Sequence, residues 1–382
     1  MAVVIVFPGF GYDVIDHNII QRQPWYYLIQ IAENLVASGY KVKLCFQGTR
    51  PHDKLTNALL DRGINTCSSF EFNRSDFIII PFAVGYYAKL YERLNRLTSE
   101  LNCRVYLALT TYVDNIKELI TNFIIVKLTM TGKTIGKTLA ENMALRIWHK
   151  KILDIVSGVI TPSHDFTSIL YNLGISQEIK MTEFIPQVDV PYCHETNHDE
   201  GKDIITYFGP FDEERGVISL IDAFLKLIKN QNSDAVLKLL LRGDGYSLLP
   251  IMNRKIRMKK QNIVVKTKFE NRQMLFNELC TSKLIVLPYR VIPSTLPVSY
   301  FEALFLDKPL VVTTDIPGFR EHVYSYLGKT IPGTYRYGDL AEYLAFLLSS
   351  TEDVRLLKSK QTNYAISLKN KIQRQLISLP EE

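Results

Sequence analysis

The feature that most constrains this chain is a rhythm that runs, stops and starts again. Short apolar runs alternate with longer amphipathic stretches over most of the 382 residues. Val3–Phe7, Val42–Phe46, Phe77–Ile80, Val105–Leu109 and Gly158–Thr161 are rich in β-branched and aliphatic residues and bounded by Gly, Pro or polar residues. Such runs show no in–out alternation, so they read as strands buried on both faces, as in a helix-covered parallel sheet. A helix is predicted at Trp25–Ser38, stopped by Gly39. Strand and helix in alternation imply a doubly wound α/β unit.

The rhythm breaks at Pro191–Lys202 (PYCHETNHDEGK), which carries no apolar periodicity. It then restarts with strand candidates Ile204–Phe208, Val236–Leu241, Ile263–Val265, Leu284–Leu287 and Leu310–Thr313. Val217, Leu220, Ile221, Phe224, Leu227 and Ile228 share one face of a helix over Val217–Asn230. The expected organisation is a first Rossmann-like unit at 1–190, a linker at 191–202 and a second Rossmann-like unit at 203–360. Residues 361–382 are expected to form a C-terminal helix that can pack back on the first unit.

Composition narrows the function classes. Hydrophobic residues make up 47% and charged residues 22%, enough apolar material for two cores and no sign of bulk disorder. The net charge of +6 is mild and unclustered beside that of a nucleic-acid binder, so no nucleic-acid partner is expected. Cys45, Cys67, Cys103, Cys193 and Cys280 are scattered, odd in number and form no CxxC pair. We therefore expect neither a disulfide framework nor a zinc site, and a reducing cytoplasmic setting. Cys193, His194 and His198 have metal-like spacing, read as incidental to the linker. The N-terminus lacks a basic n-region, and the longest apolar stretch, Phe77–Ala88, is interrupted by Pro81 and Gly85, so neither a secretory signal nor a membrane span is expected.

Three local constellations carry chemistry. In YFGPFDEERGVISLIDAF a strand ends at Phe208, turns at Gly209-Pro210 and reaches Arg215-Gly216 at the mouth of a helix. A cation beside free helix N–H groups suits a diphosphate, although a solvated arginine in a plain strand–helix loop has the same pattern. In LIVLPYRVIPSTLPVSYFEALFLDKPLVVT a strand enters a proline-rich loop and a short helix that Ser294 or Thr295 can cap, with Pro297 in its first turn. Glu302 lies among apolar residues on that helix, where a carboxylate is costly unless paired or solvated. Its partner is then a diol such as a ribose, or else it faces solvent. In LKLLLRGDGYSLL, Gly243 and Gly245 allow a tight turn and close ligand approach. TMTGKTIGKTLAE misses P-loop spacing because Thr131 stands where the first glycine is needed.

The order of these motifs resembles the retaining, nucleotide-sugar-dependent glycosyltransferases of the GT-B fold, in the large family numbered four ("group 1"). Gly209 to Gly216, Gly243 to Gly245, Asn262 to Val265, Leu284 to Pro288, Ser294 to Ala303 and Asp307 to Leu310 stand where that family has its successive signatures. In the first half, Pro162-Ser163 and the segment from Pro186 to Asp189 do likewise. The resemblance covers most of residues 1–330. It implies an α/β, GT-B protein with two Rossmann-like domains facing across a cleft. The function it implies is transfer of a sugar from a nucleoside-diphosphate sugar to an acceptor hydroxyl with retention, without metal or other cofactor. By position, Arg215 takes the diphosphate, Glu302 the ribose hydroxyls, and Ser294 the place of the family's first glutamate. Backbone groups near Thr295, Leu296 and Val298 would face the diphosphate. The stretch Val265–Phe269, with Lys268 and Phe269, would hold the base. Gly9 and Gly11 would approach the donor from across the cleft, with Gly209 and Gly243 opposite.

The sequence departs from the family at three points. Pro210 replaces an arginine, Ser294 replaces a glutamate, and Thr110-Thr111-Tyr112 occupies the place of a histidine. These departures leave a second reading, a catalytically degenerate GT-B scaffold that serves a partner protein as a binding module. The acceptor implied is a glycan, lipid-linked or protein-linked molecule. Lys133, Lys137, Arg146, Lys150 and Lys151, with Leu139, Met143, Ile147 and Trp148, form an amphipathic pattern. It is either a core-facing stripe with a solvated side or a contact with the anionic inner face of a membrane.

Overall fold

The computed structural model describes residues 2–8, 14–15, 25–47, 50–67, 76–81, 95–96, 98–100, 102–109, 136, 140, 143, 155–163, 171, 179–191, 193, 203–211, 215–231, 234–241, 262–267, 269, 271–289, 297–313 and 337–379. The first half runs β1 (Ala2–Pro8), β2 (Val14–Ile15), α1 (Trp25–Ala37), β3 (Lys41–Gln47), β4 (Arg50–Pro51), α2 (Asp53–Leu60), β5 (Ile64–Cys67), β6 (Phe77–Pro81), β7 (Arg104–Ala108), β8 (Val156–Thr161) and β9 (Lys180–Glu183). Seven of these strands form one sheet in the order β5-β3-β1-β6-β7-β8-β9, and every pairing in it is parallel. Strands β2 and β4 make a separate two-residue ladder.

The apolar runs became the buried strands because both of their faces are covered. All five residues of β6 are buried, and Val3, Val4, Ile5 and Val6 of β1 are at most 1% exposed. Short strands β5 and β9, with polar residues in INTC and KMTE, were not legible as strands; they are the two edges of the sheet and are only partly buried. Gly158 in β8 exists for a neighbour: a Cβ there would lie 2.3 Å from the Tyr106 ring, which is itself 1% exposed.

The second half runs β10 (Ile204–Gly209), α3 (Val217–Gln231), β11 (Val236–Leu241), β12 (Ile263–Lys266), α4 (Arg272–Cys280), β13 (Leu284–Leu287), α5 (Val298–Phe305), β14 (Leu310–Val312), α6 (Tyr337–Ser349) and α7 (Thr351–Arg374). Its five strands pair in parallel in the order β12-β11-β10-β13-β14. From β10 the chain winds outward to β11 and β12, then returns to the other side of β10 for β13 and β14. The crevice between β10 and β13, beyond their C-terminal ends, is therefore a topological switch point, the place where open α/β sheets bind ligands.

Helix α7 joins the two halves. Its N-terminus is capped by Ser350, whose hydroxyl accepts from Asp353 N–H at 3.2 Å. Buried Gln361 acts as an extra strand residue, accepting from Leu310 N–H at 2.9 Å and donating to Leu310 C=O at 2.6 Å at the edge of the second sheet. Beyond the helix end the chain lies against the first unit. The Gln375 side chain bonds both backbone groups of Ile185. Asn34 donates to Gln375 C=O at 2.9 Å and accepts from Ile377 N–H at 2.7 Å. Ile377 and Leu379 enter the first unit's core beside α1 and β3.

Two expectations are corrected. Cys193 and Cys280 form a disulfide across 87 residues, and Cys45, Cys67 and Cys103 are free. Spacing could not show this pairing, because the linker reaches the end of α4 only in the folded chain. The cap of α5 is Pro297 and makes no side-chain cap bond, so neither Ser294 nor Thr295 is its cap and Pro297 precedes the first turn. No helix among the described residues is long and apolar enough to cross a membrane.

Candidate donor site at the switch point of the second sheet

The site begins where β10 ends. Gly209 has φ 140°, a backbone that side chains rarely adopt, and a Cβ there would come within 3.1 Å of the Tyr207 hydroxyl. That hydroxyl donates to Pro210 C=O at 2.6 Å and sets the turn. Gly216, at φ 72°, then redirects the chain into α3, and its carbonyl accepts the Leu220 N–H at 2.9 Å. Between these two glycines the chain carries Arg215 across the switch point.

Arg215 lies with its guanidinium carbon 5.1 Å from the centre of the Tyr289 ring. Tyr289 follows β13, and its surroundings fix it. Its hydroxyl is 2.7 Å from Ser299 Oγ in the first turn of α5, and the Thr313 hydroxyl after β14 donates to its carbonyl. The ring is 1% exposed. One nitrogen of Arg215, Nη1, is buried and has no hydrogen-bond partner. An unanswered charged donor inside a protein is expensive, so the group is arranged for a partner that arrives from solution. The N–H groups of Val298 and Ser299 open α5 and lack intrahelical acceptors by geometry, while Tyr300 N–H donates to Pro297 C=O at 2.9 Å; the helix start carries the positive end of the dipole. Arg215 and the start of α5, where Val298 lies, are thus joined through one tyrosine.

Glu302 is on α5 one turn further on and is 1% exposed, so the solvent-facing alternative does not hold. Its counter-charge is Arg272, whose Nε and Nη2 reach Glu302 Oε1 at 3.3 and 3.0 Å. Arg272 opens α4 and stacks on Phe276 at 5.0 Å. The sequence reading missed it: a lone arginine after a capping asparagine gives no signal, and only the fold brings the start of α4 to Glu302 on α5. Facing them from the first half is Tyr26, whose hydroxyl donates to the Gln187 carbonyl. Burial pushes the Tyr26 hydroxyl well above its ordinary pKa, the Arg272 charge works against that, and Asp189, Glu302 and Glu33 add to it.

Phe269 is half-buried against the second core, after the β12 strand. The described residues therefore bring Gly209, Arg215, Val298 and Glu302 to the C-terminal side of the second sheet, with Phe269 beyond β12. Gly9, Gly11, Gly243, Lys268, Ser294, Thr295 and Leu296 lie outside the described residues, as do most of the basic amphipathic pattern and the linker histidines. Met143 of that pattern is 49% exposed. No group of three or more metal-ligating side chains occurs among the described residues.

Two parallel α/β units, the second with a cation and a helix N-terminus at its switch point, define the GT-B architecture of glycosyltransferases. Within the second unit, residues 202–349 match the family model described as "Glycosyl transferases group 1". Sucrose-phosphate synthase from Thermosynechococcus elongatus superposes with TM-score 0.65 at 14% identity, over 96% of this chain and 94% of that one. HepE from Anabaena in complex with UDP superposes with TM-score 0.64 at 14% identity, over 98% of each chain. A glycosyltransferase from Rickettsia africae does so with TM-score 0.60 at 13% identity, over 97% and 94%. At these identities the likeness is one of fold. No curated protein sequence matches the chain.

Proposed function

We propose that this protein is a glycosyltransferase that moves a sugar from a nucleoside-diphosphate sugar to an acceptor hydroxyl, with retention and without a metal. The observation that carries this reading is the buried, unanswered Nη1 of Arg215 beside the start of α5. When the bond from the anomeric carbon to the diphosphate breaks, negative charge collects on the departing phosphate. A fixed guanidinium and oriented backbone N–H groups stabilise that charge, which is the service a divalent cation gives elsewhere. The acceptor oxygen forms the new bond to the anomeric carbon, and its proton leaves on the diphosphate, so no carboxylate base is required. HepE, which shares the fold, has been solved with UDP and with UDP-glucose. This supports a nucleotide of that class as the donor's leaving group.

The roles follow from position. Arg215 and the N–H groups around Val298 meet the diphosphate, Glu302 meets the ribose, and the chain near Phe269 meets the base. Ser294, Thr295, Leu296, Lys268, Gly243, Gly9 and Gly11 complete the donor site in this reading. The acceptor is a glycan, lipid-linked or protein-linked hydroxyl, and in this reading the basic residues Lys133–Lys151 contact an anionic membrane on the cytoplasmic side.

One observation favours a second reading. Pro210 offers only a carbonyl, already used by Tyr207, where the family has a second cation. On that reading the scaffold has lost catalysis and serves a partner protein as a binding module. The test is a thermal-shift series with UDP, GDP, ADP and their sugars, with and without EDTA, followed by NMR of the product's anomeric centre. A selective, EDTA-insensitive shift with a retained anomer supports the transferase. Absence of turnover across donors and acceptors in a folded protein, or no shift with any nucleotide, overturns the transferase and supports the binding module.

A further inference from the structure

Arg272 is out of place by local rules. It is the first residue of α4, where the helix dipole is positive and acidic residues are favoured. Asn271 caps that helix, its side chain accepting from Met274 N–H at 3.0 Å, so the helix start is fixed and cannot shift to relieve the arginine. What retains the cation is tertiary. The guanidinium stacks on Phe276 one turn along, at 5.0 Å, and two of its N–H groups converge on a single oxygen, Glu302 Oε1. Glu302 is 1% exposed while the Arg272 side chain keeps 40% of its surface, so the pair joins a carboxylate in the protein to a cation at the opening.

A buried carboxylate needs a counter-charge. Arg272 supplies one in a particular way. Both of its bonds go to the same oxygen, so the guanidinium fixes where that oxygen lies and with it the rotation of the carboxyl group. The pair lies at the junction with the first unit, where Tyr26 is tied through its hydroxyl to the Gln187 carbonyl. The Asn271–Arg272 start of α4 also follows directly on the chain around Phe269.

We propose that Arg272 is a positioning and specificity residue: by holding Glu302 through one oxygen, it aims the carboxylate at the vicinal hydroxyls of the donor's ribose, and the preference for ribonucleotides over 2′-deoxyribonucleotides depends on it. The proposal rests on the nucleoside-diphosphate reading of the site. It adds a residue outside the motifs that suggested that reading. Arg272 acts through Glu302 and not on the reacting atoms.

The experiment measures affinity of the full chain for UDP and 2′-deoxy-UDP, or for the base that the wild type prefers, by calorimetry. Wild-type protein, Arg272→Met, Arg272→Lys and Glu302→Gln are compared. A hydrogen bond from a hydroxyl to a charged group is worth enough that the wild type should favour the ribonucleotide by about tenfold or more. Arg272→Met should bring that ratio to near one, as should Glu302→Gln, while affinity for 2′-deoxy-UDP changes little. Arg272→Lys keeps the charge but not the two-pronged geometry, guards against a fold that fails without a cation, and should show an intermediate ratio. A wild-type ratio retained in both Arg272 variants overturns the proposal and leaves an ion pair without a role in recognition. A wild type that binds UDP with no preference overturns it too, while the donor-site reading stands. A wild type that binds no nucleoside diphosphate removes both.

Discussion

The guanidinium of Arg215 rests 5.1 Å from the ring centre of Tyr289, with one nitrogen buried and without a hydrogen-bond partner. The cost of that nitrogen is borne in the unliganded fold and relieved when an anion arrives. Arg215→Ala should therefore abolish the thermal shift given by nucleoside diphosphates, yet leave the melting temperature of the free protein unchanged or slightly higher. Arg215→Lys should keep part of the shift, because a point charge replaces a planar one without its stacking on Tyr289. A shift of wild-type size in Arg215→Ala would remove Arg215 from the site.

The Cys193–Cys280 bond closes 87 residues. In the chain-entropy picture a loop of that size restrains the unfolded chain by about 4.6 kcal/mol. Non-reducing thiol titration of the denatured protein should find three free thiols, and five after reduction. Cys193→Ser and reduction of the wild type should lower the melting temperature by similar amounts, and the two effects should not add. Five thiols without reductant would show that the bond does not form.

Asn34 answers two backbone groups of the chain's last segment, Gln375 C=O and Ile377 N–H. Asn34→Ala should cost about 1 kcal/mol, the usual net worth of partly buried hydrogen bonds. The loss should be local first. Hydrogen exchange at Ile377–Leu379 should accelerate before exchange in β1, β3 or β6. Uniform acceleration across the first sheet would mean that the tail has no separate opening.

Glu278 supports a pH prediction. Burial pushes its carboxyl up, but the hydrogen bond from Lys266 and the charge of Lys238 outweigh that and hold it below the usual carboxylate range. A folded-state pKa below the unfolded one contributes stability that is present above the unfolded value, about 4.3 for a glutamate, and is lost as pH falls through the folded value. Glu278→Gln should lower stability at neutral pH and flatten this part of the acid limb. Parallel acid limbs for wild type and variant would show that the Lys266–Glu278–Lys238 cluster contributes nothing on folding.

Much of the architecture was legible along the chain because parallel strands buried on both faces leave an unbroken apolar signature. Val236–Leu241 and Leu284–Leu287 could be read to the residue, and Val217–Gln231 nearly so from its face of Val217, Leu220, Ile221, Phe224 and Leu227. Strands β5 and β9 were missed for the converse reason: edge strands keep polar residues and lose the pattern. Arg215 and Glu302 were legible as candidates because each breaks a local rule, a cation at a helix mouth and a carboxylate in an apolar helix. The disulfide was misread because covalent pairing depends on which loops meet.

The sequence by itself determined the two α/β units, the glycine turns that frame Arg215 and the placing of Glu302 on a short apolar helix. These follow from interactions within a few residues: periodicity, backbone permissiveness and helix capping. Only the tertiary structure decided what those residues face. That Arg215 lies on Tyr289 and keeps a nitrogen unanswered, that Glu302 is buried and met by Arg272, that Cys193 meets Cys280, and that Asn34 holds Gln375 and Ile377 all depend on contacts between distant segments. Sheet order and helix packing set such contacts, and no pattern along the chain carries them.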